Sequence, residues 1–156
     1  EIVGYTPNSH IMNPQDTLPE LRGQYPDKMV YSYGCEPGTA RFLVYRIVQY
    51  DGDTPNELSF GDMTTRAKEL GLDVVPHLLD STSVYYTGTN TEFRSFIESL
   101  ADGPSTLDAA HIREGIVIRV TDQFGVRWIK HKSFDFGRME GYIKDTAEYV
   151  DREEIA

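Results

Sequence analysis

The sequence predicts an α+β fold in which helices cover a mainly antiparallel sheet, and three observations support this prediction. Several short segments rich in Val, Ile and Tyr have the alternating or continuous apolar pattern of strands. Two longer segments repeat apolar residues at helical spacing. Short runs of turn-forming residues separate neighbouring strand segments, which indicates antiparallel pairing.

The first third of the chain is predicted to contain strands and one long loop. Residues 1–5 form the first predicted strand, and the Pro-, Asn- and Gly-rich residues up to about Asp27 predict mostly loop. Residues 29–33 and 41–50 favour strand and are separated by the turn formers Glu36-Pro37-Gly38. We expect these two segments to form an antiparallel pair.

Two helices are predicted in the middle of the chain. Between Phe60 and Gly71, apolar residues recur at helical spacing, and Gly71 suits the position after a helix C-cap. A second helix follows Asn90 and ends before Gly103-Pro104. Its apolar residues fall at i, i+3, i+4 and i+7, namely Phe93, Phe96, Ile97 and Leu100. We expect this helix to cover a sheet.

A β-hairpin is predicted near the end of the chain. Its strands are residues 114–120 and 126–132, joined by a five-residue loop of turn formers, residues 121–125. Because side chains alternate along a strand, Lys130 and Lys132 project from the same side, about 7 Å apart, together with Val126 and Trp128. By the same alternation Glu114 shares a face with Ile116, Ile118 and Val120.

Composition limits the class of protein. The chain has 156 residues, 39% of them hydrophobic, which predicts one domain or part of one. No apolar run approaches the roughly 20 residues of a membrane span, so we expect a cytoplasmic protein without membrane contact. The single cysteine and four scattered histidines indicate neither a disulfide nor a zinc site. The net charge of -10 predicts weak non-specific nucleic-acid binding, so any RNA contact must be local.

The lysine pair and the glutamate of the hairpin are the residues best suited to chemistry. A carboxylate and two ammonium groups at the margin of an apolar surface suit a metal-bound triphosphate, since a low local dielectric strengthens their attraction. The alternative is structural: Glu114 makes an ordinary cross-strand ion pair with one lysine, and Lys132 lies on the surface. Spacing alone leaves both interpretations open.

Four segments, in order along the chain, resemble motifs of the covalent nucleotidyltransferases, the superfamily of ligases and capping enzymes. Residues 114–119 (EGIVIR) and 128–133 (WIKHKS) resemble its motifs IV and V. Residues 1–4 (EIVG) look like motif III, and residues 42–47 (FLVYRI) look like motif IIIa. Residues 134–144, which include the Glu-Gly pair at 140 and 141, are similar to the segment after motif V in phage-type RNA ligases.

This resemblance implies an ATP-dependent RNA ligase with a role in RNA repair. In such enzymes a lysine attacks the α-phosphate of ATP, AMP passes to an RNA 5′-phosphate, and the RNA 3′-hydroxyl then seals the joint. By this resemblance Lys130 and Lys132 contact the α-phosphate, and Glu114 holds the divalent metal, Mg²⁺ or Mn²⁺. The expected partners are ATP and RNA ends.

The resemblance also assigns nucleotide-binding residues in the earlier motifs. Glu1 is expected to contact the ribose hydroxyls or metal-bound water, and Tyr45 to stack on the adenine. Phe42 is the second candidate for stacking, and Arg119 is a further nucleotide-binding candidate, with an ion-pair partner as its alternative role. Arg46 departs from the pattern, since an acidic residue is frequent at this position in DNA ligases.

The family's motif I, a Lys-x-x-Gly or Lys-x-Asp-Gly run that carries the adenylylated lysine, belongs before motif III, and Glu1 already lies in motif III. We therefore expect residues 1–156 to be the C-terminal part of a nucleotidyltransferase domain without its front segment. A missing N-terminal segment or a second chain is then an expected partner. An exposed tyrosine surface for that partner is expected at Tyr31, Tyr33, Tyr85 and Tyr86.

Two alternatives to an RNA ligase remain open. One is a fragment of a DNA ligase, but only 23 residues follow Ser133, too few for the further barrel that DNA ligases and capping enzymes carry there. The other is a module that binds a nucleotide or an RNA end without catalysis. The latter predicts affinity for ATP without a covalent adduct.

Overall fold

A computed structural model of the chain describes residues 1–79, 86–123 and 125–143, and these fold into two compact units. Unit 1 comprises Glu1–Met12 and Ser32–Thr87, and unit 2 comprises Asn13–Tyr31 and Gly88–Ala156. Small, largely antiparallel sheets and three helices make up the described part, which agrees with the predicted α+β class. No helix in the described ranges has the length and apolarity needed to cross a membrane.

Unit 1 contains a three-stranded sheet, a hairpin and one helix. The sheet has the order β1-β4-β7, with β1 antiparallel and β7 parallel to the central strand. The hairpin consists of β5 and β6. The elements in chain order are β1 (Ile2–Gly4), β4 (Ala40–Val44), β5 (Val48–Asp51), β6 (Thr54–Glu57), α1 (Phe60–Glu69) and β7 (Asp73–Val74).

Helix α1 forms where its sequence predicts it. The Ser59 hydroxyl accepts a hydrogen bond from the Asp62 N–H at 3.1 Å and so caps the first turn. Gly71, with φ of 69°, lies just beyond the helix end, as expected for a residue in left-handed conformation. Met63 and Ala67 are buried against Val44 of the sheet, so the apolar stripe of the helix forms the core of unit 1.

Unit 2 contains two antiparallel strand pairs, two helices and a 3₁₀ turn. Strand β2 pairs with β3, and β8 pairs with β9 as a long hairpin next to α2. The elements are β2 (Gln15–Asp16), a 3₁₀ turn (Pro19–Leu21), β3 (Lys28–Met29), α2 (Asn90–Ala101), β8 (Gly115–Asp122), β9 (Gly125–Lys132) and α3 (Phe134–Met139). The core of this unit includes Met29, Tyr31, His111 and Phe136.

Helix α2 begins with a reciprocal capping box. The Thr89 hydroxyl accepts from the Glu92 N–H at 3.3 Å, and the Glu92 carboxylate accepts from the Thr89 N–H at 2.8 Å. The Thr89→Ala variant is therefore expected to lose about 1 kcal/mol of stability. Chemical denaturation measures the stability of this variant and of the control Thr65→Ala, which removes a hydroxyl within α1. Equal losses of stability in the two variants would show that the capping box contributes no more than an ordinary helix hydroxyl.

Three sequence predictions about strands are wrong. Residues 29–33 do not pair with residues 41–50: β3 ends at Met29 and pairs with β2, while β4 pairs with β1 and β7. Left-handed backbone at Tyr33 and Gly34, with φ of 53° and 75°, ends the extended segment in a turn. The segment at 41–50 is divided between β4 and β5. The hairpin loop is also shorter than predicted, because Asp122 pairs with Gly125.

The predicted tyrosine surface is contradicted as well. Tyr31 is completely buried and Tyr33 is partly buried, whereas Tyr86 is 39% exposed. Tyr85 lies outside the described residues. The apolar body of Tyr31 fills the core of unit 2, so it cannot contribute to a docking surface.

Candidate functional site

The register of the β8–β9 hairpin gathers basic side chains on one face. Arg119 lies opposite Trp128, and Val117 lies opposite Lys130. Directly opposed residues and alternate residues share a face of an antiparallel pair, so Arg119, Trp128, Lys130 and Lys132 all lie on the same face. The predicted alternation of the two lysines is therefore confirmed. We call this surface the basic face.

Arg119 occupies the part of the basic face nearer the hairpin loop. Its guanidinium carbon lies 5.9 Å from the centre of the Trp128 ring, and Nη1 donates to the Thr121 hydroxyl at 3.3 Å. Cation–π contact of this kind holds a guanidinium flat on an aromatic surface without neutralising its charge. Arg119 therefore extends the positive potential of the two lysines along the strand pair.

Lys132 lies at the opposite end of the basic face and is half-buried. Its ammonium nitrogen is 2.9 Å from a carboxylate oxygen of Glu140 and 4.3 Å from the centre of the Tyr142 ring. The side chains of Lys132 and Glu140 are only 21% and 22% exposed, so solvent screens this ion pair less than a surface pair. Lys130, in contrast, is exposed.

Glu114 immediately precedes β8, which begins at Gly115. Ile116 and Ile118 lie opposite His131 and Ile129, on the face turned away from the lysines, so simple alternation would carry Glu114 to that face too. The unusual φ of Gly115, +153°, interrupts the alternation at this point. The negative charges of Glu114 and Glu140 both contribute to raising the pKa of Tyr31.

Tyr31 is completely buried in the core of unit 2. Burial of the phenol is the main cause that raises its pKa well above the ordinary value, followed by the charges of Glu114 and Glu140. Its ring contacts the rings of His111 and Phe136, with centroid distances of 4.6 Å and 5.7 Å. Tyr31 thus stays protonated at neutral pH.

His111 is completely buried in the same core. Its Nδ1 lies 2.9 Å from the carbonyl oxygen of Ile112, so this nitrogen carries a proton and donates. Burial lowers the pKa of His111 below its ordinary value. The four histidines were expected to have core or surface roles, and His111 has a core role.

Protonation of His111 is expected to destabilise unit 2 in acid. The lowered pKa in the folded state means that the unfolded chain binds the proton more tightly, so this contribution is complete above about pH 6.5 and is lost as the pH falls below it. Denaturation of the wild type and of His111→Gln from pH 8 to pH 5 tests this. The difference in stability between the two should be constant above pH 7.5 and shrink in acid, and a constant difference throughout would contradict the assignment.

The remaining predicted site residues belong to unit 1. Glu1 is exposed, and its carbonyl oxygen accepts from the Leu43 N–H at 2.8 Å, which joins it to β4. Phe42 and Tyr45 are 54% and 49% exposed, so both present aromatic surface. Arg46, where the motif departs from the DNA ligases, donates to the Glu57 carboxylate at 2.8 Å. Its charge is thereby paired within unit 1.

One Lys-x-x-Gly run is present in the chain, at residues 68–71, and the sequence interpretation overlooked it. This run lies downstream of the segment that resembles motif III, not before it. Gly71 has left-handed backbone and its N–H donates to the Lys68 carbonyl at 3.0 Å, which closes the end of α1. Helix termination therefore accounts for the glycine at this spacing.

No model of a known protein family, no curated protein and no solved structure compared with the chain matches it. The site's chemistry therefore rests on its own residues.

The motif resemblance leads us to expect a divalent metal at Glu114. Magnesium is commonly held by one or two carboxylates together with phosphate oxygens and water. Glu114 is one candidate carboxylate of unit 2, and Glu140, which makes an ion pair with Lys132, lies in the same unit. Within the ranges that the structure describes, no three His, Cys, Asp or Glu residues form a group able to hold a metal alone.

The parts played by Tyr31, Glu140 and Tyr142 in unit 2 were not predicted from the sequence. Tyr31 was assigned to a surface, Glu140 was noted only as part of a motif-like tail, and Tyr142 was not considered. The Glu140-Gly141 pair was the available signal, because a carboxylate next to a flexible residue commonly marks a turn. Its proximity to Lys132 depends on the course of α3, which the sequence pattern does not specify.

Proposed function

We propose that this chain is part of an ATP-dependent RNA ligase and contributes its phosphate- and metal-binding residues. The ligase would join RNA 5′-phosphate and 3′-hydroxyl ends through enzyme-AMP and RNA-adenylate intermediates. The observation that carries this proposal is the basic face, where Arg119, Lys130 and Lys132 lie together in a chain of net charge -10. The four motif-like segments, two of which contain these residues, support the same assignment.

The basic face is the kind of surface that a polyphosphate requires. A strongly acidic protein repels phosphate in general, so three cations on one face of one hairpin create a local exception. The strand residues of that face, at 115, 117, 119, 121, 126, 128, 130 and 132, include no acidic side chain. A phosphate near Lys130 would therefore meet positive charge and the Trp128 ring, whereas at Lys132 it would also meet the carboxylate of Glu140.

Lys132 and Lys130 would offset the charge that develops on the transferred phosphate. Phosphoryl transfer depends mainly on positioning and on fixed charges near the phosphate oxygens. Half-burial of Lys132 lowers the local dielectric and strengthens its attraction for phosphate. Glu114, next to the same pair, would hold the metal that bridges phosphate oxygens.

The proposed nucleoside contacts rest on the motif resemblance alone. The exposed ring of Tyr45 can stack on adenine, with Phe42 as the second candidate, and the exposed carboxylate of Glu1 can accept hydrogen bonds from ribose hydroxyls. These assignments follow the motif resemblance. Each residue is replaced singly, and the affinities of the variant for ATP and for 2′-deoxy-ATP are measured. The two ligands differ only in the ribose, so the difference between their affinities should change when a ribose contact is lost and stay the same when a base contact is lost.

Nucleotide binding is the first test of this proposal. Saturating Mg·ATP, at about 100 times its dissociation constant, is expected to stabilise the protein by about 2.7 kcal/mol through mass action. Thermal unfolding with and without Mg·ATP measures this effect. Lys130→Ala should reduce the stabilisation, whereas Lys28→Ala, which removes an exposed lysine of the same unit, should not. Lack of stabilisation of the unaltered protein would contradict the proposal.

A further inference from the structure

We infer that the turn after α3 is the device that positions Lys132, with Glu140 and Tyr142 as positioning residues for phosphoryl transfer. This inference rests on the proposed function. We define the Lys132 clamp as Glu140, Gly141 and Tyr142. The clamp places a carboxylate and an aromatic ring on one ammonium group, at 2.9 Å and 4.3 Å from the nitrogen.

The two contacts act on the ammonium group in complementary ways. The charge-assisted hydrogen bond to Glu140 fixes a direction for one of its three donors. The face of the Tyr142 ring attracts the same cation through its quadrupole and adds no formal charge. Together they fix the end of a long side chain.

The backbone of the clamp is built to hold this arrangement. Gly141 has φ of 75°, a left-handed conformation that turns the chain between the two contacting residues. The N–H of Tyr142 donates to the Gly137 carbonyl at 3.0 Å, and so does that of Ile143 at 3.1 Å. Ile143 is buried against Gly137, where an added Cβ would lie 2.6 Å from the Ile143 Cδ1 atom.

Helix α3 is itself anchored at both ends. Ser133, which follows Lys132 directly, donates from its hydroxyl to the Arg113 carbonyl at 2.7 Å and accepts from the Phe136 N–H at 3.4 Å. Arg138 makes an ion pair with Glu20 beyond the helix. The segment that connects Lys132 to Glu140, eight positions later in the chain, is therefore held in place by these contacts.

Lys130 gives the contrast that defines the role of the clamp. Lys130 lies two residues before Lys132 on the same face of β9, but its side chain is exposed. A free lysine loses rotamer freedom when it binds a phosphate, at a cost of up to about 2 kcal/mol. For Lys132 the fold has already imposed much of this order, so the nucleotide meets an ammonium group that is in place.

The test compares disruptive and conservative variants of the clamp. Glu140→Ala and Tyr142→Leu remove the two contacts, whereas Glu140→Gln keeps an acceptor and Tyr142→Phe keeps a ring. We expect Mg·ATP to bind about tenfold more weakly to the disruptive variants, the order expected for one immobilised long side chain, and near wild-type affinity in the conservative ones. Tighter binding by Glu140→Ala would mean that Glu140 competes with phosphate, and would overturn the inference.

A nucleotide-free measurement separates the inference from the proposed function. In NMR spectra of lysine-labelled protein, the ε-methylene protons of Lys132 should lie upfield of those of Lys130 because of the Tyr142 ring. Tyr142→Leu should abolish the displacement and Tyr142→Phe should retain it. Coincident signals for the two lysines in the unaltered protein would overturn the clamp. A displaced signal without any binding of Mg·ATP would support the clamp and overturn the proposed function.

Discussion

The Gly115→Ala variant is expected to lose roughly 2 to 6 kcal/mol of stability, the sum of backbone strain and steric overlap. An ideal Cβ at this position would lie 2.1 Å from the His131 carbonyl oxygen and 2.6 Å from the Lys132 Cα atom. Both neighbours are backbone atoms of the partner strand, so neither can move without displacing β9. The φ of +153° is also one that side chains other than glycine rarely adopt.

Gly125→Ala is the matched control at the other end of the same hairpin. Its φ of +116° is equally unfavourable for alanine, but no atom lies within 4 Å of the Cβ position. This variant should therefore lose only the strain contribution, about 1 to 3 kcal/mol. Denaturation followed by the fluorescence of Trp128, the single tryptophan of the chain, measures both. Equal losses would show that the close approach to His131 costs nothing.

The same substitution bears on the candidate site. Gly115 lies directly opposite Lys132 in the register and directly after Glu114 in the chain. A displaced β9 would move the lysine, and a changed φ would turn the glutamate. The close packing thus gives a physical reason for a glycine at position 115, directly after Glu114 and opposite Lys132.

Helices were predicted well because their signals are local. Ser59 and Thr89 cap the first turns, Gly71 marks the end of α1, and the buried residues of both helices recur at helical spacing. Each of these signals lies within the segment that it describes. No information about distant parts of the chain is needed to interpret them.

Strand pairing was predicted less well because it depends on distant partners. Residues 114–120 and 126–132 were correctly paired, since a short turn joins them. The partner of β3, in contrast, is the two-residue strand β2, and β4 pairs with a strand on each side. Short strands of this kind carry almost no periodic signal, so the sequence pattern favours the wrong neighbour.

In the candidate site, too, the local features were predicted from the sequence and the features that depend on the fold were not. Alternation along β9 was enough to place Lys130 and Lys132 on one face, and the register confirms it. The place of Glu114 relative to them depends on one backbone angle at Gly115, which no pattern encodes. Tyr31 comes from a distant segment of the chain, and its complete burial in the core of unit 2 is evident only from the fold.

The Lys132→Ala variant is expected to slow RNA sealing by about 10² to 10³-fold, the cost of removing one fixed group that stabilises developing phosphate charge. Sealing of an RNA that already carries a 5′-adenylate needs no lysine nucleophile. The 3′-oxygen of one strand bonds to the 5′-phosphorus of the other, the bond to AMP breaks, AMP leaves, and the hydroxyl proton passes to solvent. Gel analysis of the joined RNA, with magnesium present, measures the rate.

The matched control is Lys28→Ala, which removes one positive charge from unit 2 at an exposed ion pair with Asp16. It should seal at the wild-type rate, because a general change in net charge acts weakly through solvent. Equal slowing in the two variants would show that Lys132 acts only through the net charge of the protein. Tight binding of the adenylylated RNA by the unaltered protein without any joined product would instead favour the non-catalytic binding module, because the charges would then recognise the phosphate without acting on it.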